Sequence, residues 1–404
     1  MSGHHSRIAW SLVDQGISSG SNYLLLILLI RFSTLAELGG YGLAYTTYFL
    51  FQACARGLAS EPLTVRVSPS DPMWETDRRE AAGASLAGSL LMALGAAGVA
   101  VVTDEPLSQA WLALAICLPG LILQDMVRMV LFAERRMRSA ALNDLLFLLV
   151  QLLTYAPLLA AGHVSGFWLF LGWGVGAYAA GAAGLAQARL WPRLLSTWSW
   201  LRRHRDIIPA YVGDYAANRG TEQLTLIGVF AAAGAPAVGI VTAARTLFAP
   251  LTTIQTGLNG FALPEAARLH RTGGERQLRA LVLSFAACMV VLMVAGGVAL
   301  ALVPTAWGEA VMSANWSAAI GVLWPMCVFS ALNAAGFALW LGSKARQRAQ
   351  AVFVVRLASG LVMVVAASLG ARFADATGAV VGMSAAAAVL VVGMALLLRE
   401  SDSP

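Results

Sequence analysis

Asp214, Asn218, Arg219, Glu222 and Gln223 stand in the stretch "VGDYAANRGTEQLTLIGVF", residues 212–230, which is otherwise apolar enough to enter a bilayer. A charge at bilayer depth costs ~2.5 kcal/mol or more, so it turns towards protein, water or cargo. At ~100° per residue, Tyr211, Asp214, Tyr215, Asn218, Glu222 and Thr225 share one helical face. Near the N-terminus Ser11, Asp14, Gln15, Ser18, Ser21 and Asn22 form a comparable face, and Asp14, Ser18 and Asn22 match Asp214, Asn218 and Glu222 rung for rung. With no solvent outside to hydrogen-bond it, such a face must turn inward.

Taken singly, Ser11, Ser18, Ser21 and Asn22 read as polar glue between neighbouring helices. Asp214, Arg219 and Glu222 together read as the lining of a water-filled cavity, against which stands the three-residue spacing that lets Arg219 and Glu222 neutralise each other. Arg245, inside "GIVTAARTLFAPL", has no acid on its own helix. It calls for an anionic visitor or a carboxylate on another helix, Asp214 or Glu222. Arg56 is placed to snorkel. Asp125, Arg128 and Asp144 read as a structural ion-pair cluster, and Arg356 as a snorkelling or gating residue.

Other chemistries find no footing. The four cysteines, Cys54, Cys117, Cys288 and Cys327, lie in apolar stretches without CxxC spacing. His4, His5, His163, His204 and His270 are scattered over segment ends and do not converge as metal ligands must. There is no Walker A loop, GxGxxG, HExxH or GxSxG. Neither a cofactor, a metal nor a nucleic acid is expected, and transport is favoured over enzyme chemistry.

The elements that position these residues are transmembrane helices. Of 404 residues 58% are hydrophobic and only 12% charged, about half the charge of a soluble domain. With ~20 apolar residues per crossing, about twelve crossings are predicted, at 8–32, 38–58, 81–102, 108–132, 139–161, 164–188, 207–231, 236–258, 278–303, 317–341, 350–371 and 378–398. The first run carries no short apolar core with a cleavage site, so it is expected to stay as a span. Alternate connections collect the basic residues, among them Arg7, Arg66, Arg78, Arg79, Arg135, Arg136, Arg138, Arg189, Arg193, Arg268, Arg271, Lys344, Arg348 and Arg399. The positive-inside rule then places both termini in the cytoplasm.

An offset of 200 residues lays Asp14 on Asp214, Gly39 on Gly239 and Gly57 on Gly257. Each half holds six crossings, which predicts a parallel repeat with cargo between the halves. The expected organisation is an N-lobe at 1–189, a cytoplasmic linker at 190–206 and a C-lobe at 207–404. The linker "RLWPRLLSTWSWLRRHRD" mixes tryptophans with basic residues, either as an amphipathic segment in the headgroup layer or as an ordinary loop.

Residues 11–66 carry "DQG" and Asn22 on the first helix, "GGYGLAY" opening the second and "SEPL" at its exit, with "GFALPEAARL" as the echo in the second half. In these features and in its twelve-span layout the chain resembles Wzx-like polysaccharide-export flippases of the MOP superfamily, which also holds the MATE transporters. The resemblance implies an all-α membrane protein of two pseudo-symmetric six-helix lobes in a V. It would move a polyprenyl-diphosphate-linked oligosaccharide across the bacterial cytoplasmic (inner) membrane by alternating access, beside a glycan polymerase and other export machinery. It implies further that Arg219 and Arg245, and more weakly Arg56 and Arg31, contact the diphosphate, for which forked arginine donors are suited. Tyr211, Tyr215, Asn218, Gln15 and Asn22 would line the cavity and bind sugar. The cavity arginines are fewer than that family's pattern, and Asp14, Asp214 and Glu222 add negative charge. Those three acids are therefore candidates for coupling to H⁺ or Na⁺. The alternative is a cation-coupled multidrug or small-molecule antiporter of the same superfamily, drawn to cations by the same carboxylates.

Overall fold

The computed structural model describes residues 2–162, 164–272, 274–346 and 349–399, with side chains described except at 2–9, 11, 12, 259–261, 263, 264, 349 and 399. His163 and Arg348, with the side chains of Arg7, Ser11, Leu263, Pro264 and Arg399, lie outside the described residues. The described chain is helical throughout and holds no strand. In order, it forms α1 (Ser2–Phe32), α2 (Leu35–Ala55), a π-helical turn (Arg56–Ser60), α3 (Glu61–Arg66), α4 (Trp74–Val102), α5 (Leu107–Ala133), α6 (Met137–Ala160) and α7 (Gly166–Ala188). A 3₁₀ turn (Leu194–Ser196) and α8 (Thr197–Arg203) lead into α9 (Ile208–Arg271), α10 (Glu275–Ala301), α11 (Thr305–Met312), α12 (Asn315–Gly321), α13 (Leu323–Ala345) and α14 (Ala349–Arg399).

Among the described residues nine helices are long and apolar enough to cross a membrane, which makes this a multi-pass membrane protein. Two of them are double-length. The apolar part of α9 runs 51 residues, about 77 Å at 1.5 Å per residue against a hydrocarbon core of ~30 Å. It breaks at Gly234, whose φ of 78° only glycine adopts easily, just ahead of Pro236. The second double-length helix, α14, breaks at Ala374 and Asp375. Beyond that break its arms approach at glycines: a Cβ on Gly370 would lie 2.0 Å from the Gly378 carbonyl oxygen, and one on Gly378 1.9 Å from that of Gly370.

The chain divides into two compact units. The first holds residues 1–33 and 40–223, the second residues 34–39 and 224–404, so the opening turns of α9 group with the first unit. In the first unit α5 packs on α4 and α7, and α6 packs on α1 and α7. Its aromatic core is Trp173 edge-on to Phe170 and Tyr48, beside Tyr45 and Tyr41. In the second unit α13 packs on α10 and α14. Here a Cβ on Gly39 would lie 2.0 Å from the Ala235 carbonyl oxygen, and one on Gly239 would lie 2.1 Å from that of Leu35. The two contacts are each other's image under the 200-residue offset.

The linker is partly docked. Trp200 is wholly buried and donates from Nε1 to the Leu58 carbonyl at 3.0 Å. That carbonyl belongs to the π turn, whose widened helix redirects backbone acceptors from their usual partners. Arg203 binds Asp77 and, at 2.8 Å, Glu80. Trp191, Leu195 and Trp198 point outward instead.

Candidate functional site

Two polar constellations lie in the first unit. The first is buried between α1, α2, α5 and α6. Arg128 reaches Asp14 at 2.5 Å and Asp144 at 3.4 Å, while Arg56 is bidentate on Asp125 at 2.7 and 2.5 Å. The acids are almost inaccessible, with side-chain exposures of 1% for Asp14, 4% for Asp144 and 6% for Asp125. Three carboxylates therefore face two guanidiniums in a region of low dielectric, where an uncompensated charge is costly. Amides complete the network: Gln52 donates to Asp125 at 3.0 Å, Gln124 to Asp144 at 2.7 Å and Asn143 to the Ala180 carbonyl at 2.7 Å. Two buried carboxylate oxygens, Asp14 Oδ1 and Asp144 Oδ2, have no hydrogen-bond partner among the described residues. Asp144 Oδ2 still has the Arg128 Nε charge 3.4 Å away.

This arrangement corrects two sequence expectations. The expected cluster of Asp125, Arg128 and Asp144 is present in its Arg128–Asp144 pair, but Asp125 takes Arg56 as its direct partner. Asp14 supplies Arg128's closest contact, across 114 positions. Arg56 is accordingly an ion-pair partner as well as a residue near a helix end. The polar face of α1 also divides. Asp14 and Ser21, one heptad apart, both turn into the bundle, where Ser21 donates to Gln151 at 2.5 Å and Gln151 donates to Tyr155 at 3.0 Å. Gln15, 100° round the helix, is exposed and bonds only Ser19 at 3.1 Å among its described contacts, while Asn22 is half-buried. Gln151, Tyr155, Gln124 and Asn143 went unread in the sequence. Asp144, Gln151 and Tyr155 recur at seven and four residues on α6, a helical spacing that marks one inward face.

The second constellation is the opening of α9. Tyr215 donates to Glu61 at 2.6 Å and Thr46 to Gln223 at 2.6 Å, which hold this segment against α2 and α3. Close passage is possible because Gly57 has no side chain: a Cβ there would stand 2.9 Å from the Val212 nitrogen. With Tyr215 and Gln223 turned inward, Asp214, Asn218 and Arg219 are left exposed, and Tyr211 and Glu222 half-buried. Arg219 meets Glu222 at 3.2 Å and lies over the Phe49 ring at 5.9 Å. The local neutralisation that the spacing allows is thus realised, and Asp214 remains an exposed acid on a membrane-spanning helix. Arg31 is exposed at the end of α1, its guanidinium over Phe32 at 5.6 Å. In the second unit, Arg245 is half-buried amid Val241, Thr242, Ala244 and Thr246. Among the described residues no group of His, Cys, Asp and Glu could hold a metal ion.

No family model matches the chain, and no curated protein matches it. Solved structures do. An inward-facing multidrug resistance MATE family transporter of the MOP superfamily aligns with a TM-score of 0.73 at 13% identity, over 97% of this chain and 100% of its own. The lipid II flippase MurJ, in an inward closed conformation, aligns with a TM-score of 0.72 at 10% identity, over 96% of this chain and 87% of its own. The MATE transporter ClbM in complex with Rb⁺ aligns with a TM-score of 0.57 at 13% identity, over 97% and 93%. The chain therefore has the all-helical fold shared by these transporters and this flippase.

Proposed function

We propose that this protein is a flippase that carries a polyprenyl-diphosphate-linked oligosaccharide across the bacterial inner membrane by alternating access, with both termini in the cytoplasm. The observation that carries the reading is the polar face at the opening of α9, where Asp214, Asn218 and Arg219 are exposed on a membrane-spanning helix, with Glu222 half-buried beside Arg219 and Gln223 and Thr225 buried. A sugar head and a diphosphate need such a surface, because neither can be desolvated into hydrocarbon. Arg219 supplies forked donors for diphosphate oxygens, with Arg245 as a further contact. Arg31, and Arg56 with its charge already met by Asp125, are weaker ones. Tyr211, Tyr215, Asn218, Gln15 and Asn22 are assigned to sugar hydroxyls. The likeness to a lipid II flippase supports a lipid-linked cargo.

Coupling to H⁺ or Na⁺ is assigned to Asp14, buried beside Arg128 with one oxygen lacking a hydrogen-bond partner among the described residues, with Asp214 and Glu222 as accessory acids. Protonation of Asp14 or Asp144 would leave Arg128 with one carboxylate and remove the excess negative charge. The likeness to a transporter solved with a monovalent cation is in keeping with this.

The second reading, a cation-coupled multidrug antiporter, rests on Asp214 and Glu222 flanking Arg219. One assay separates the two. In proteoliposomes, protection of a fluorescent polyprenyl-diphosphate sugar from an impermeant quencher reports flipping, and accumulation of a cationic dye reports antiport. Arg219→Gln and Arg245→Gln should each lower flipping at least tenfold and leave dye uptake unchanged or raised. Undisturbed flipping in both variants overturns the assignment of the two arginines, and dye uptake without any flipping by the wild type overturns the flippase assignment.

A further inference from the structure

A cavity of about 420 Å³ opens where the ends of α4, α5 and α7 meet, lined by Arg78, Glu134, Arg136, Gln187, Ala188 and Arg189. It lies wholly within the first unit, and its size falls in the range of small-ligand sites. Three guanidiniums face one carboxylate there. Glu134 is already shared out: Oε1 accepts from Arg78 at 2.9 Å and from Trp74 Nε1 at 3.3 Å, and Oε2 accepts from Arg136 at 3.1 Å. Arg78 spends its remaining donors on Glu75 and on the Ala188 carbonyl. Arg136 also donates to the Gln187 carbonyl at 2.9 Å. These bonds fix the rim as a rigid frame whose net charge stays positive. Arg189, the left-handed C-cap of α7 with φ of 50°, is exposed at its edge.

The neighbouring segment says which anion suits this frame. Two residues beyond Arg189 the linker turns Trp191, 64% exposed, to the outside, followed by Leu195 and by Trp198 at 74%. On α8, Trp200 and Arg203 dock on the Leu58 carbonyl and on Glu80, which leaves Trp198 facing outward. The outer face of α4 continues the apolar surface with exposed Leu90, Leu91 and Leu94. Exposed tryptophans beside arginines at the end of membrane-spanning helices are the chemistry of a headgroup layer with acyl chains below it. A soluble anion would need the arginines alone.

We propose that this cavity and the adjoining linker face form a binding site for an anionic phospholipid of the inner leaflet. Its phosphate lies against Arg136 and Arg189, and its acyl chains lie along Trp191, Trp198 and the outer face of α4. Basic pockets at the cytoplasmic ends of helices bind such headgroups. The site is separate from the α9 face, so its occupancy and the identity of the cargo are tested independently.

The test uses the full-length protein in nanodiscs of phosphatidylcholine with or without cardiolipin. Retained lipid is counted by native mass spectrometry, and brominated cardiolipin is used as a tryptophan quencher. Wild type should retain cardiolipin over phosphatidylcholine and be quenched more by brominated cardiolipin than Trp191→Phe/Trp198→Phe, whose remaining quenching comes from the other exposed tryptophans, among them Trp168, Trp307 and Trp324. Arg189→Gln, at an exposed position, should weaken retention about fivefold, and Arg136→Gln/Arg189→Gln roughly the product of two such steps. Should the double variant misfold, the single Arg189→Gln still decides. Equal retention of both lipids, or unchanged retention in Arg189→Gln, overturns the proposal. So does displacement of the lipid by inorganic phosphate at ordinary ionic strength, which would mark a site for soluble anions.

Discussion

Arg128→Gln removes the single cation lodged between Asp14 and Asp144. At 2.5 and 3.4 Å from carboxylates that are 1% and 4% exposed, Arg128 is the counter-charge that both face. Breaking a buried pair from the cationic side costs about 3–5 kcal/mol, because the partner charge is left uncompensated. Asp144→Asn does the opposite. It leaves one carboxylate per guanidinium and an amide oxygen that still accepts from Gln124, so its cost should stay within the ~1 kcal/mol of a single hydrogen bond. At about 2–4 °C per kcal/mol for a unit of this size, Arg128→Gln should melt some 5–15 °C below Asp144→Asn in thermal unfolding of the purified protein in one detergent. Asp14→Asn/Arg128→Gln should recover part of the loss, with a coupling of ~1–3 kcal/mol in the double-mutant cycle. Equal melting of Arg128→Gln and Asp144→Asn, or strict additivity of the two changes in the double variant, would refute the charge arithmetic behind the site.

Trp200→Phe should cost ~1 kcal/mol through the lost bond to the Leu58 carbonyl, and Trp200→Ala ~3–5 kcal/mol through the emptied space, both read by thermal unfolding. Gly239→Ala should destabilise by ~1–3 kcal/mol or more, because its methyl would need the Leu35 carbonyl to move, whereas Gly257→Ala, with nothing within 4 Å, should pass within ~1 kcal/mol. His204 packs on Trp200 at 4.0 Å with neither ring nitrogen hydrogen-bonded among the described residues. Burial first, and then the neighbouring Arg66 charge, lower its imidazole below the usual 6.5. The folded state therefore binds the proton less tightly than the unfolded chain, so this residue's contribution is complete above pH ~6.5 and is lost as the pH falls below it. A melting profile from neutral to acid pH should fall more steeply in wild type than in His204→Phe.

Much of the architecture could be read in advance because lipid allows few alternatives. The contrast between Asp214, Asn218, Arg219 and Glu222 and their apolar surroundings marked a polar face on α9, and the gap between the apolar runs 207–231 and 236–258 holds the break at Gly234. Partner choice was not legible. A helical wheel puts Asp14 and Gln15 in one broad arc, and only the rotation of α1 against α5 and α6 decides that Asp14 turns inward to Arg128 while Gln15 stays exposed. The same holds for Asp125, which could reach either arginine until the path of α2 brought Arg56 to it. The linker tryptophans show a third case: composition left a headgroup-layer segment and an ordinary loop both open, and did not show that Trp200 would turn inside to the Leu58 carbonyl of the π turn after α2.

The reciprocal approach of Gly39 to Ala235 and of Gly239 to Leu35 has the form of an isologous contact, in which position i meets j and j meets i. Both positions are therefore closed to any side chain: a methyl on Gly39 meets the Ala235 carbonyl and one on Gly239 the Leu35 carbonyl, and neither can be relieved without moving the main chain at the other.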